Sequence, residues 1–322
     1  NGGDGPDAGS DPSNNDDGDP DTGSDPDAGD DTEPDADEQV STAAEVDPNC
    51  VDGMYAEALP APGADISAEV GAYSSANLHQ FYDGILEKRY PMGAYILQEA
   101  AKFEQLDCVQ AFSGNPGTAE AAVGRLSTVV HECGHLFDLS QGLNTYVIRE
   151  DLTLTCSGGS TFARKLIGDD EYQPLRPPCQ GGFIGCDHYY DTYLGDSRGS
   201  DQGFDMVLEE TTQYVNSLAT SYAFQDFIGG STSALDGILT FLWYVERYLR
   251  MARLQYPDTY AIIAEDACWR NAILTVWGRA WLMIEQAEGN GALGIDDEAL
   301  FELVRDPELL GEIQRLRDLE GC

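Results

Sequence analysis

Over most of Ser74–Leu139 and again of Phe204–Leu319 the apolar residues return every three or four positions, and this period limits the possible folds more than any other feature of the chain. Ser74–Lys88 carries Leu78, Phe81, Tyr82, Ile85 and Leu86 on one helical face. Pro91 suits the first turn of a following helix that runs to about Lys102. Asn115-Pro116-Gly117-Thr118 spells a turn, and Thr118 suits the cap of a helix from Ala119 to Leu139. Further helices are expected over Phe204–Phe227, from Ser233 to about Leu254, and over Tyr260–Glu288 with a break near Asp266–Cys268. Two short helices close the chain, the last near Pro307–Leu319. Strand patterns are confined to Tyr146–Ile148 and Leu152–Thr155. The expected fold class is therefore mainly α: a single domain of packed helices over residues 49–322, with an irregular, disulfide-containing insertion from about Gln141 to Gly203.

The period is absent from residues 1–48, which are built from Asp, Gly, Pro, Ser and Asn and contain no aromatic side chain. Such a segment buries too little apolar area to offset its chain entropy, so a disordered, extended acidic spacer is expected. Residues 1–49 hold 17 Asp and Glu and no Lys or Arg; removing those charges from the formal −41 leaves −24 on the rest. A body this acidic is repelled by phosphate backbones and anionic lipid surfaces, so nucleic acid is not an expected partner. No stretch approaches the 18 apolar residues of a transmembrane span. A Gly/Asp/Pro-rich acidic spacer of this kind resembles the tethers of bacterial surface lipoproteins. That resemblance implies an extracellular or cell-surface location, with a lipid anchor upstream of residue 1.

Eight cysteines are scattered through the body: Cys50, Cys108, Cys133, Cys156, Cys179, Cys186, Cys268 and Cys322. None forms a CxxC pair, which argues against a cysteine zinc cage, and the even count favours disulfides in an oxidising compartment. Cys179 and Cys186 flank a Gly-rich loop that they could close, and a bridge to Cys322 would pin the C-terminus. Cys133 falls on the apolar side of its helix and is expected as a buried thiol or in a disulfide to the insertion.

Only four histidines occur, and two of them stand in His131-Glu132-Cys133-Gly134-His135. Residues four apart share one face of a helix, so His131 and His135 can present two imidazoles to one metal ion. Glu132 sits 100° round, placed to act as general base toward water on that metal rather than as a ligand. Gly134 costs such a helix about 1 kcal/mol, which is explicable if another element packs closely against it. A catalytic zinc needs a third protein ligand. Glu209, Glu210 and His188 are the candidates; the first two lie on the Phe204–Phe227 helix and the third in Cys186-Asp187-His188-Tyr189-Tyr190. Asp138 could orient an imidazole through its ring N–H. Tyr189, Tyr190, Tyr193 and Tyr214 are candidates for stabilising an oxyanion.

His131-Glu132-Cys133-Gly134-His135-Leu136-Phe137-Asp138, together with Leu208-Glu209-Glu210-Thr211-Thr212-Gln213-Tyr214-Val215, resembles the gluzincin branch of zinc metallopeptidases. The third His that a metzincin would carry falls on Gln141. The gluzincin resemblance implies a Zn2+ cofactor, a catalytic domain that hydrolyses peptide bonds in a peptide or protein substrate, and a third ligand Glu on the downstream helix. The family's apolar spacing after that Glu matches Tyr214, Val215, Leu218 and Ala219 when counted from Glu209, which favours Glu209; Glu210 lies nearer the most apolar stripe. The expected site is then Glu132 as general base, with His131, His135 and Glu209 on zinc. The alternatives are a zinc hydrolase acting on a non-peptide bond and a surface binding protein with a non-catalytic metal. Glu132 argues against the latter, because a structural site needs no base beside its ligands.

Overall fold

In the computed structural model, residues 45–103, 105–157, 189 and 203–322 are described. They form eleven α-helices and one hairpin. The helices are α1 (Ser67–Gly71), α2 (Leu78–Arg89), α3 (Pro91–Ala100), α4 (Cys108–Ser113) and α5 (Ala119–Gln141), followed by α6 (Gly203–Ala223), α7 (Ala234–Gln255), α8 (Pro257–Glu265), α9 (Ala267–Ala287), α10 (Asp297–Val304) and α11 (Pro307–Glu320). Strands β1 (Thr145–Arg149) and β2 (Leu152–Thr155) lie between α5 and α6 in sequence and pair antiparallel, Tyr146 opposite Leu154, with an irregularity between Val147 and Arg149. The mainly α architecture expected from the periodicity is thus the observed one.

Local chemistry sets the helix ends. The Thr118 hydroxyl accepts from the Ala121 amide at 3.2 Å and starts α5 where the sequence places it. Pro91, Pro257 and Pro307 occupy first-turn positions of α3, α8 and α11. Asp266 interrupts the long helical pattern after Tyr260, accepting from the Cys268 amide at 2.8 Å and so capping α9. The helix expected over Phe204–Phe227 stops at Ala223 and continues as a short 3-10 turn, Gln225–Phe227. The periodic pattern also misses α1 and α4, which are too short to display a period.

The core is layered around α6, which packs against α5, α7, α9 and β1. α7 is buried on every side from Ala234 to Leu249, and α9 contributes Trp269, Trp277 and Trp281 to the interior. α6 is buried as well, yet it carries Glu209, Glu210, Thr211, Thr212, Gln213, Asn216, Ser217, Thr220 and Ser221 among its buried residues. Threonine hydroxyls satisfy themselves on the preceding turn: Thr211, Thr212 and Thr220 donate to the carbonyls of Val207, Leu208 and Asn216. The remaining buried polar groups need partners from other elements, because an unmade buried hydrogen bond costs about 1–3 kcal/mol.

Three disulfides tie the body: Cys50–Cys322, Cys108–Cys133 and Cys156–Cys268. The first pins the C-terminus as expected. The second corrects the expectation for Cys133, whose partner lies on α4, before the motif helix, and not in the insertion. Cys179 and Cys186 lie outside the described residues. The stretch after Glu45 is clamped to the C-terminal helices: Arg317 pairs with Asp52 at 2.6 Å, Arg305 pairs with Glu45 at 2.7 Å, and the Trp277 indole donates to the Glu45 carbonyl. Glu45–Pro48, which composition assigns to the spacer, therefore belong to the folded body. No helix among the described residues is long and apolar enough to cross a membrane.

Candidate metal centre

Helix α5 delivers His131 and His135 to one point because they are one turn apart and α5 packs tightly against α6. Their Nε2 atoms face each other at 3.0 Å, and Glu210 Oε2 lies 3.5 Å from each. Three atoms with those separations share a centre about 1.9 Å from each of them, close to the roughly 2.0–2.2 Å of transition-metal bonds to imidazole and carboxylate. Glu210 Oε2 is buried and has no well-aligned hydrogen bond, and its polar neighbours are the two imidazole nitrogens that complete the triangle. His131, His135 and Glu210 can therefore hold a metal ion.

The other ring nitrogens are occupied. His131 Nδ1 meets Ser217 Oγ at 3.0 Å, and His135 Nδ1 meets both oxygens of Glu209 at 2.8 and 2.7 Å. These contacts turn both Nε2 atoms inward, the orientation that metal-bound imidazoles take when a neighbour fixes the tautomer. Glu209, the ligand favoured by the apolar spacing, is thus placed behind His135, and its neighbour Glu210 stands in the cluster. The reason is helical phase: adjacent residues point 100° apart, and the packing of α6 on α7 and α9 turns Glu210 toward α5. His188 lies outside the described residues.

Asp138 does not touch an imidazole either. Its Oδ1 accepts from the Val147 amide at 3.1 Å, tying β1 to α5, and its Oδ2 accepts from Gln213 Nε2 at 3.0 Å. Gln213 Nε2 also reaches Glu209 Oε1 at 3.1 Å, while Gln213 Oε1 accepts from Asn216 Nδ2 at 3.0 Å. Asn216 Oδ1 in turn accepts from the Tyr90 hydroxyl at 2.8 Å and from Arg279 Nη2 at 2.9 Å, and Arg279 Nε pairs with Glu57 at 3.1 Å. A continuous buried chain thus runs from Glu57 and Arg279 to the ring of His135. Gly134 makes room for it: a Cβ there would overlap Gln213 Oε1 and lie 2.7 Å from its Cδ. Close packing at Gly134, anticipated from its helix cost, has its cause in Gln213.

Charge at the centre is one-sided. Burial lowers the affinity of His135 for a proton, but hydrogen bonds and attraction from Glu209 and Glu210 more than reverse this and raise its pKa to about 11. Burial raises the pKa of Glu210, and the two histidines overcome that effect and bring it down to about 2. Asp138 is pushed well above the usual carboxylate range, first by burial and then by the charge of Glu209. The site is built to accommodate positive charge between α5 and α6.

Glu132 is half-buried and lines two cavities that meet beside His131, one of about 300 Å³ and one of about 320 Å³. The ring of Tyr214 packs edge-on against His131, centroids 4.8 Å apart, and Tyr189 packs against Tyr214. Of the four tyrosines considered as oxyanion donors, these two line the second cavity, whereas Tyr190 and Tyr193 lie outside the described residues. Ser217, Gln213, Asn216 and Arg279 were not singled out in the sequence. The available signal was the run of polar residues at helical spacing, Glu209, Gln213, Asn216 and Thr220, on a helix flanked by apolar residues. No protein-family model, no curated protein and no solved structure matches this chain.

Proposed function

We propose that the protein is a zinc-dependent hydrolase that cleaves peptide bonds, with His131, His135 and Glu210 holding the ion and Glu132 acting as general base. The observation that carries this is the convergence of two imidazole Nε2 atoms and one buried carboxylate oxygen without a hydrogen bond, beside a half-buried Glu that takes no part in the cluster. Two nitrogen donors and a single carboxylate favour zinc over magnesium or calcium, which take oxygen ligands. A zinc ion held there supplies a Lewis acid that brings the pKa of bound water down toward about 7.

The chain's own residues supply the rest. Glu132 takes a proton from the attacking water and returns it to the departing amine, so that water's oxygen joins the carbonyl carbon as the C–N bond breaks. Glu209 and Ser217 hold the two rings in the orientation that leaves Nε2 free. The choice of a peptide bond over another acyl bond rests on the resemblance to gluzincins. An extracellular or surface location agrees with three disulfides in the described body.

The test is metal analysis of the purified chain followed by digestion of a peptide library with the wild type and Glu132→Gln. We expect about one zinc per chain in both proteins, and cleavage reduced by about a hundredfold or more in the variant. A chain without zinc, or equal cleavage by both proteins, overturns the proposal. Zinc retention with no cleavage by either would favour a metal-bearing binding protein.

A further inference from the structure

The cavities on either side of Glu132 belong to one trough. Gly124, Thr128, His131, His135 and Leu139 follow one another at three- and four-residue intervals and each lines a cavity, so a single face of α5 forms the trough floor, which Gly142 continues just past the helix end. The facing wall is α6, which runs antiparallel to α5: His135 meets Glu209, whereas Ser127, two turns earlier on α5, donates to the carbonyl of Ser217, two turns later on α6. The first two cavities share His131 and Glu132. A third, of about 280 Å³, shares Gly124, Ser127, Ser221 and Thr232 with the second and continues to Phe227.

Length and lining say what such a trough takes. Gly124 to Gly142 spans about 27 Å at 1.5 Å per helical residue, the length of about eight residues of extended chain at 3.3 Å each. The histidines stand near its middle, seven residues after Gly124 and seven before Gly142. An enzyme that trims C-termini needs one side closed and a cation to capture the terminal carboxylate. Here open space extends both ways from Glu132, and no Lys or Arg among the described residues lines any of the three cavities to receive a terminal carboxylate. The two sides also differ chemically. Leu139, Leu143 and Met206 give one side apolar surface, whereas Ser127, Thr128 and Ser221 make the other a hydroxyl-lined channel.

We infer that the site acts inside extended polypeptide segments of about eight residues, bound along α5 on both sides of the ion, with a bulky apolar residue on one side of the scissile bond and small polar residues on the other. This rests on the peptidase proposed above. Gly124 is the position at which to test it. Nothing lies within 4 Å of a Cβ there, and a helix interior favours Leu over Gly, so Gly124→Leu projects into the trough without disturbing the fold.

The experiment uses the zinc-loaded full chain and peptides of four, six, eight and ten residues with one central cleavable bond, each made with free ends and with acetylated and amidated ends. Expected are internal cleavage of blocked peptides, a kcat/KM that rises with length and levels off near eight residues, and a drop of about tenfold for eight-residue relative to four-residue peptides in Gly124→Leu, at a Tm no lower than that of the wild type. Cleavage that requires a free end, a kcat/KM indifferent to length, or a Gly124→Leu length profile identical to the wild type overturns the inference while leaving the peptidase standing. Failure of the zinc-loaded wild type to cleave any peptide removes both.

Discussion

Replacing Gly134 by Ala sets two opposing effects against each other in one methyl group. In a solvent-facing helix interior the change stabilises by about 1 kcal/mol. Here the new Cβ overlaps Gln213 Oε1 and stands 2.7 Å from Cδ and 3.3 Å from Nε2. A glutamine end could ordinarily swing away, but Gln213 is 1% exposed and held by three hydrogen bonds, to Asp138, to Glu209 and from Asn216. Moving it leaves Asp138 Oδ2 and Asn216 Nδ2 short of buried partners, each loss worth about 1–3 kcal/mol. Staying in place instead incurs overpacking of similar size. After the helix gain is subtracted, a net destabilisation of about 1–5 kcal/mol follows. Glu209 loses its clamp as well, so zinc affinity should fall by about ten- to a hundredfold. Urea unfolding of the metal-free chain measures the first quantity and chelator competition the second. Adding Gln213→Ala to Gly134→Ala removes the obstacle, and the cycle should show a favourable coupling of at least about 1 kcal/mol. A Gly134→Ala protein more stable than the wild type, with unchanged zinc affinity, would refute the role assigned to Gln213.

Glu210→Gln should abolish tight zinc binding, whereas Glu209→Gln should weaken it by about ten- to a hundredfold; the reverse ranking in chelator competition would return Glu209 to the ligand set. Glu246 on α7 is fully buried with neither oxygen hydrogen-bonded, and burial, then the charges of Asp306 and Glu312 on and beside α11, push its pKa well above the carboxylate range. A raised carboxyl pKa stabilises the fold fully below the unfolded value near 4.3, and that contribution is lost as pH climbs through the folded pKa. Glu246→Met should therefore unfold at higher urea than the wild type at neutral pH, with an advantage that shrinks toward pH 4; an advantage independent of pH would contradict this. Cys50–Cys322 closes a loop of 272 residues, for which chain entropy gives an upper figure of about 5.6 kcal/mol. Cys50→Ser/Cys322→Ser should lower the unfolding free energy in urea by several kcal/mol, and a change below about 1 kcal/mol would mean that the Asp52–Arg317 and Glu45–Arg305 pairs fix the two ends without it.

Helix placement was legible wherever a period and a punctuating residue coincided. Thr118, Pro91, Asp266 and Pro307 each act locally, and each marks an end that the structure confirms. What was not legible required knowing how one helix is rotated against another. Glu209 and Glu210 are equivalent to any local rule, and the register of α6 on α5, α7 and α9 decides between them. Asp138 illustrates the same gap: one turn past His135 it could serve the ring, but β1 returns to that spot and presents the Val147 amide instead. Cys133 was read correctly as facing the interior, whereas its partner on α4 lies on a helix of six residues that no period announces.

The buried polar face of α6 is better understood as one device than as a series of separately satisfied groups. A helix that contributes one carboxylate to a candidate metal centre and a second to a ring nitrogen must bury two acidic groups 100° apart. A purely apolar surround would make that arrangement prohibitively costly. The chain of Gln213, Asn216, Tyr90 and Arg279 connects this negative face to a fully buried guanidinium on α9, which is itself paired with Glu57 at the N-terminal edge of the fold. Asn216 and Gln213 accept and donate in sequence, so the positive end of the chain is expressed as two N–H bonds from Gln213, one to Asp138 and one to Glu209. These bonds join the site to α9 and to the disulfide-pinned N-terminal stretch, and substitutions at Arg279 or Asn216 are expected to act on His135 through Gln213. Zinc affinity lowered by Asn216→Ala in the wild type but unaffected in a Gln213→Ala background would establish that order of transmission; additive losses would show that the two residues act by separate routes.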